Sequence, residues 1–335
     1  MNTLVYVFVG IIVILYIIDK KEIVKPEIEE FMIDKNGEIK PKVLTNQEKK
    51  RKIRNEIYKD ILANIQDINP LKTYRVWTYV EIPNESRNIP LSYTKYHIPI
   101  YFQKCIELMK KNVPELIILT PLNIKEFLPK FDIEMNKDSD IPLKLRIDIL
   151  YASILKEYGG ICVSPGTVVY DISKPLNLLH KYEVVTFGSN PSIIQSKNHI
   201  YFPNNYTIGF QKNSTIVKEY LRYLKMYKEN KSSYNFQTSS TSDILSYLLE
   251  QHKPTQYHFG AEFDGSFNTK LQPIPLRNYV GTHDLDFINK DKLMIVNFPY
   301  DLLLKSPQYE WFINLSEIQF LQSNLIVKRL LLKDI

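Results

Sequence analysis

The sequence predicts an α/β domain built around a mostly parallel central sheet. Three observations predict it. From Tyr74 onward, short apolar runs rich in β-branched and aromatic residues alternate with segments of helical periodicity. Within Leu143 to Tyr158, the residues Ile147, Leu150, Tyr151, Ile154, Leu155 and Tyr158 recur at helical spacing and form one clean apolar seam. That helix is closed by Gly159-Gly160 and followed directly by the short apolar strand Ile161-Cys162-Val163. The β-α-β order implies crossover helices between parallel strands.

The elements follow in order. Leu4 to Ile18 is uncharged and almost wholly apolar, and with Met1 to Thr3 it is just long enough to span a bilayer. No small-x-small cleavage site follows, so residues 1–18 read as an uncleaved transmembrane anchor and the protein as single-pass. Flanking Lys20, Lys21 and Lys25 place the soluble part in the cytosol by the positive-inside rule. Residues 19–70 are charged and lack strand signals. They read as a stalk and a docking helix over Gln47 to Ile68, and 71–335 as the main domain.

In that domain Tyr74 to Val80 is a strand, Tyr101 to Lys111 a helix and Leu116 to Leu119 a strand. Ile124 to Leu128 is a short helix, ahead of the seam-bearing helix. After Val163 come the turn Ser164-Pro165-Gly166 and a strand over Thr167 to Tyr170. Tyr182 to Phe187 is a strand, Thr215 to Tyr227 and Asp243 to Gln251 are helices, and Leu293 to Val296 is a late strand. Leu315 to Gln322 and Asn324 to Leu332 are C-terminal helices.

Composition narrows the function. Hydrophobic residues make up 44% and charged residues 24% of the 335, which suits a folded core. Net charge is +6, with no dense basic block, so nucleic acid is not an expected partner. Cys105 and Cys162 sit in apolar runs as buried thiols do, and no Cys/His spacing points to zinc. Two loops carry candidate chemistry. His283, Asp284 and Asp286 share a polar loop opened by Gly281, where they can bind a cation or do acid–base work, or simply cap a turn. Gly260-Ala-Glu262-Phe-Asp264-Gly brings a second carboxylate pair. His258 stands just before it, able to face an acceptor.

The stretch Arg146-Ile-Asp148 through Glu157-Tyr158-Gly159-Gly160 resembles the sugar-transferase family that carries a DXD motif, in the branch that includes capsular polysaccharide synthesis proteins. Val76-Trp77-Thr78-Tyr79 is similar to that family's first strand, and Asn205 to Leu224 to a later strand and helix. The resemblance implies a GT-A (Rossmann-like) fold and a nucleoside-diphosphate sugar donor, bound beyond the carboxyl ends of the strands. On it, Trp77, Thr78, Asp148, Ser164 and Gly166 are donor-side candidates, His283, Asp284 and Asp286 catalytic ones, and His258, Glu262 and Asp264 acceptor-side ones. The expected acceptor is a hydroxyl of a glycan, lipid or protein. Family analogy sets a Golgi or ER lumen beside the cytosol as the expected compartment.

One departure bears on the chemistry. The family's Asp-x-Asp slot reads Ser164-Pro165-Gly166, with no carboxylate to hold a hard cation. Three residues after Asp148, an Arg often found in the family is replaced by Tyr151. The cofactor expectation stays open: none, or Mn or Mg held by carboxylates recruited from elsewhere. The functional expectation is a transferase with Lys, Arg or backbone N–H groups facing the leaving diphosphate. The alternative is a pseudo-transferase that has kept only a binding or scaffolding role.

Overall fold

The computed structural model describes residues 31–33, 39–41, 45–62, 74–80, 99–133, 135, 141–188, 203–229, 241–260, 263–270, 274–287, 290–298, 303 and 306–333. The chain divides into two units, Met1–Arg51 and Lys52–Ile335. In the first, β1 (Phe31–Ile33) and β2 (Ile39–Pro41) pair antiparallel. No strand is expected there from the sequence, because three-residue strands leave too little alternation to read. Helix α1 (Asn46–Leu62) is next in the chain, and in the second unit Tyr58 is fully buried.

The second unit is a three-layer sandwich. Its sheet holds β3 (Val76–Tyr79), β4 (Leu116–Leu119), β5 (Gly160–Val163), β7 (Val184–Gly188), β8 (Pro203–Phe210) and β9 (Tyr257–Phe259) in the order β4-β3-β5-β8-β7-β9. The β3–β4, β3–β5 and β7–β9 pairs are parallel, whereas β8 runs antiparallel to both β5 and β7. Five strands therefore share one direction, and the expectation of a mostly parallel sheet holds. The expected late strand forms outside this sheet: β10 (Ile295–Val296) pairs antiparallel with β6 (Val168–Val169).

Alternate residues of the strands feed two cores, as a sheet covered on both faces requires. Val76, Ile118, Ile161 and Val163 pack with helix α2 (Ile100–Asn112) and the C-terminal helices Glu317–Gln322 and Ile326–Leu332. Trp77, Tyr79, Ile117 and Cys162 pack on the other face with α3 (Leu143–Tyr158), α4 (Thr215–Glu229) and α5 (Thr241–Glu250). Cys105 and Cys162 are both buried and free.

Helix α3 enters β5 with no intervening loop. Gly159 has φ +70° and Gly160 φ +104°, a region that side-chain-bearing residues rarely occupy. A Cβ on Gly160 would meet the Arg75 carbonyl oxygen at 2.0 Å, since Ile161 N–H donates to that same carbonyl across the β3–β5 pair. The corner sends α3 back along the sheet, so its N-terminal half lies over the carboxyl ends of the parallel strands.

The single-pass membrane assignment is corrected by the structure: among the described residues, no helix is long and apolar enough to cross a membrane. The longest, α1, has 17 residues and is rich in Lys, Arg and Glu, where a span needs about 20 mostly apolar ones. Residues 1–18, on which the anchor was expected, lie outside the described residues.

Gly160→Ala combines positive φ with a backbone clash and is expected to cost about 3 kcal/mol or more of stability. Urea unfolding would register this as a lower midpoint; an unchanged midpoint would show that the corner relaxes freely.

Candidate functional site

Two buried polar networks form at the carboxyl edge of the sheet. The first is centred on Asp148, only 2% exposed on α3. Lys144, one turn earlier, places its ammonium 2.6 Å from Asp148 Oδ1. Asn205, at the start of β8, donates its Nδ2 to Asp148 Oδ2 at 2.8 Å, and the Thr241 hydroxyl of α5 donates to the same oxygen. A carboxylate buried this deeply is tolerable only with such partners. Asp148 therefore ties α3, β8 and α5 together. Lys144 is half-buried, also reaches the Asn205 carbonyl, and sits 5.2 Å from the Tyr206 ring centre.

Tyr151, one turn further along α3, occupies the position where the family often has Arg. Its hydroxyl accepts from Tyr79 N–H at 3.0 Å and donates to the Val163 carbonyl at 3.1 Å. The β3–β5 pairing runs only from Val76–Ile161 to Trp77–Cys162, so the phenol bridges the strands where they part. This explains a tyrosine at a buried position: it satisfies two backbone groups that would otherwise be orphaned.

The second network surrounds the Ser164-Pro165-Gly166 bend. The bend is buried and closed by Thr167 N–H donating to the Ser164 carbonyl at 3.0 Å, while Ser164 N–H bonds the Tyr206 carbonyl at 2.6 Å. Gly166 offers its carbonyl to the Cys105 thiol. The Thr167 and Thr207 hydroxyls both donate to Asn297 Oδ1, at 3.1 and 2.7 Å. Asn297 Nδ2 turns to Asp264 Oδ1, a long contact of 3.5 Å. Asp264 follows β9, is 1% exposed and bridges Ile295 of β10. Burial pushes its carboxyl up to about 7, although Ser266, Asn297 and the Gly188 backbone partly offset the shift. Asp264 Oδ2 and Ser164 Oγ are buried with no hydrogen-bond partner among the described residues. The Thr78 and Thr186 hydroxyls inside the sheet are buried in the same way, so what sets this pair apart is its place at the carboxyl edge.

The remaining candidates lie elsewhere. Trp77 is fully buried and donates its indole N–H to the Gly159 carbonyl at 3.0 Å, at the amino end of β5. Its ring packs on Phe127 and Tyr158, so it presents no surface at the carboxyl edge. Thr78 is fully buried within β3. His258 is half-buried in β9, 5.2 Å from the Tyr182 ring. Asp284 is exposed and paired with Arg329, which holds its carboxyl below the usual range. The Asp286 carboxylate accepts from Thr269, and His283 is exposed. Among the described residues, none of these three joins either network. Glu262 lies outside the described residues. So does the Asp138-Ser139-Asp140 run, which matches Asp-x-Asp in a loop ahead of α3 in the sequence.

A divalent cation does not fit the family's usual address, where Ser164, Pro165 and Gly166 supply no carboxylate. Among the described residues, no group of three or more His, Cys, Asp or Glu side chains is arranged to hold a metal ion. Sequence reading missed Asn205, Thr241, Thr167, Thr207 and Asn297 as site residues. Single Asn and Thr residues in an Asn-rich chain carry no signal until the fold brings them together.

The model of the capsular polysaccharide synthesis protein family matches residues 96–260. That stretch is similar to the family. The match covers α3, the corner, β5, β8 and Asp148, and bears out the resemblance to GT-A-like glycosyltransferases. A glycosyltransferase-like function is what it supports. No curated protein matches the chain.

Three solved structures are similar at a distance. A glycosyltransferase involved in the glycosylation of the major capsid of PBCV-1 is 11% identical over 67% of this chain and 93% of its own, with a TM-score of 0.38. The apo-form glycosyltransferase GlyE of Streptococcus pneumoniae TIGR4 is 10% identical over 78% and 63%, also with a TM-score of 0.38. A second GlyE structure from the same organism is 11% identical over 56% and 45%, with a TM-score of 0.33. These likenesses are too distant to carry an argument about function.

Asp148→Ala would leave Lys144, Asn205 and Thr241 facing an empty acceptor. The expected loss is about 3 kcal/mol, the scale seen when one partner of a buried pair is removed. Asp148→Asn, which keeps an acceptor, should cost less. Equal melting temperatures for wild type and Asp148→Ala would show that the network holds nothing together.

Proposed function

We propose that this protein transfers a sugar from a nucleoside-diphosphate donor to a hydroxyl of a glycan, lipid or protein acceptor, with the reaction centred on the carboxyl edge of the sheet. The observation that carries this reading is the pair of orphaned buried atoms, Asp264 Oδ2 and Ser164 Oγ, joined through Thr167 and Asn297 at that edge. Open parallel sheets bind ligands at this edge, and the family match covers the strands and helices that build most of it.

Asp264 takes the acceptor side. A carboxyl whose pKa is pushed up to about 7 exchanges protons near neutrality, as a group that takes a proton from an attacking hydroxyl must. Lys144 takes the donor side. Its ammonium, held beside Asp148 and over Tyr206, is the cation this chain offers near the place where the family puts its metal ligands. Asp148 positions Lys144 and Asn205, and Ser164 offers its hydroxyl to the donor. No step is routed through a metal, because the residues at the family's metal address do not supply one with ligands.

The sign of the pH effect follows from the raised pKa. A base must be ionised, so activity should rise through about pH 7 and level off above it. Release of nucleoside diphosphate from a panel of nucleotide sugars would measure this. Asp264→Asn is expected to lower the rate about 100-fold or more and to flatten the profile. For stability the sign is opposite. A carboxyl with a raised folded pKa binds more protons folded than unfolded between about pH 4 and pH 7, so its ionisation destabilises the fold as pH rises. Asp264→Asn should therefore melt higher than wild type at pH 8 and gain less at pH 4. A variant with wild-type turnover would remove Asp264 from the reaction, and no release from any donor would favour the binding-only reading.

A further inference from the structure

A cavity of about 630 Å³ opens on the outer helical layer, lined by residues 127–132, the C-terminal half of α3, Lys212 and α4. None of its lining residues belongs to either carboxyl-edge network. Its floor is apolar and aromatic, with Phe127, Ile149, Tyr158 and Leu221. Four lysines line it, Lys130, Lys156, Lys212 and Lys225, against two acidic residues, Asp132 and Glu157. A shallower groove continues from it along α4, sharing Lys156, Leu221 and Lys225 and adding Lys218 and Arg222 against Glu229.

Helix polarity does not account for this charge. Lysines near a helix C-terminus can serve its exposed carbonyls, but here two of the last four carbonyls are already taken by backbone N–H groups. Gly159 N–H bonds the Leu155 carbonyl, and Asn213, at φ +57°, directs its N–H to the Lys156 carbonyl. The tight approach of Gly159 to Lys212 fixes that lysine beside the helix end. Lys156 pairs with Glu157 at 2.9 Å. Among the described residues, Lys130, Lys212 and Lys225 have no ion-pair partner. Three lysines without ion-pair partners, against the single carboxylate of Asp132, in a concave and partly apolar cavity of ligand size are the makings of an anion site.

We propose that this cavity is a second ligand site, which takes an organic anion with carboxylate or phosphate groups on a ring-bearing body. The ring lies on Phe127 and Tyr158, and the anionic groups reach Lys130, Lys212 and Lys225. The inference is independent of the reading of the carboxyl edge, since the two share no residue. The shared chemistry admits two sources, an acidic sugar chain or a sugar phosphate.

Calorimetric titration of the full chain with trigalacturonate, glucose 1,6-bisphosphate and neutral maltotriose tests it. One of the two anions is expected to bind with a Kd below about 1 mM, and which one does so names the source. Maltotriose should not bind. Raising salt from about 50 to about 200 mM should weaken binding several-fold, as expected for contacts to exposed lysines. The double charge reversal Lys130→Glu/Lys225→Glu should weaken it at least tenfold, and Asp264→Asn should leave it unchanged. A melting curve checks that the double variant folds. If it does not, Lys130→Ser/Lys212→Ser, which alters only exposed ends, is expected to give the same tenfold loss. No binding of either anion, equal binding of maltotriose, or wild-type affinity in the folded variants would overturn the proposal.

Discussion

The geometry of this protein hangs on two consecutive residues without side chains. At Gly159 and Gly160 the backbone takes φ of +70° and +104°, and the second glycine lies against the Arg75 carbonyl with no room for a Cβ. Because of that, α3 passes straight into β5 and doubles back over the sheet. Its C-terminal turn lands near the amino end of β5 and its N-terminal turns near the carboxyl end. The positions of Lys144, Asp148 and Tyr151 at the carboxyl edge, and of Lys156 in the cavity at the other end, are both consequences of that one corner.

At the carboxyl edge, polar groups are used in two ways. Around Asp148 both carboxylate oxygens are served, by Lys144, Asn205 and Thr241. That network is structural in character and fixes three elements relative to each other. Around Asp264 the accounts do not close, since one carboxylate oxygen and the nearby Ser164 hydroxyl are buried without partners. Buried groups left unsatisfied cost about 1–3 kcal/mol each, which a fold tolerates where a ligand completes the network. The proposed roles follow this contrast, with Asp148 positioning its neighbours and Asp264 taking the acceptor's proton.

Much of this fold was legible in the sequence. The seam of α3, the paired glycines and the apolar strand after them fix an α/β unit, because periodicity and positive-φ glycines are local signals. The short strands β1, β2 and β9 were not legible, being three residues each. The antiparallel direction of β8 was also invisible, since strand orientation is set by tertiary packing. Site residues divided the same way. Asp148 and Ser164 stood out as candidates because they sit at fixed distances from the glycine pair. Asp264 was one of several equivalent loop carboxylates, singled out only by its burial against Asn297. Trp77 read as a stacking platform but serves the core, because a strand residue's face depends on which helices cover the sheet. The N-terminal anchor was read from hydropathy alone, and no helix among the described residues is long and apolar enough to cross a membrane.

The central claim is that the donor sits at the carboxyl edge, and photolabelling tests it most directly. The full chain would be irradiated with an azido nucleoside diphosphate and the modified peptides located by mass spectrometry. The account predicts label in 145–151, 163–167, 203–207 or 263–266, suppressed by excess unlabelled nucleotide. Label confined to 127–132 and 212–225, or no specific label at all, would contradict it.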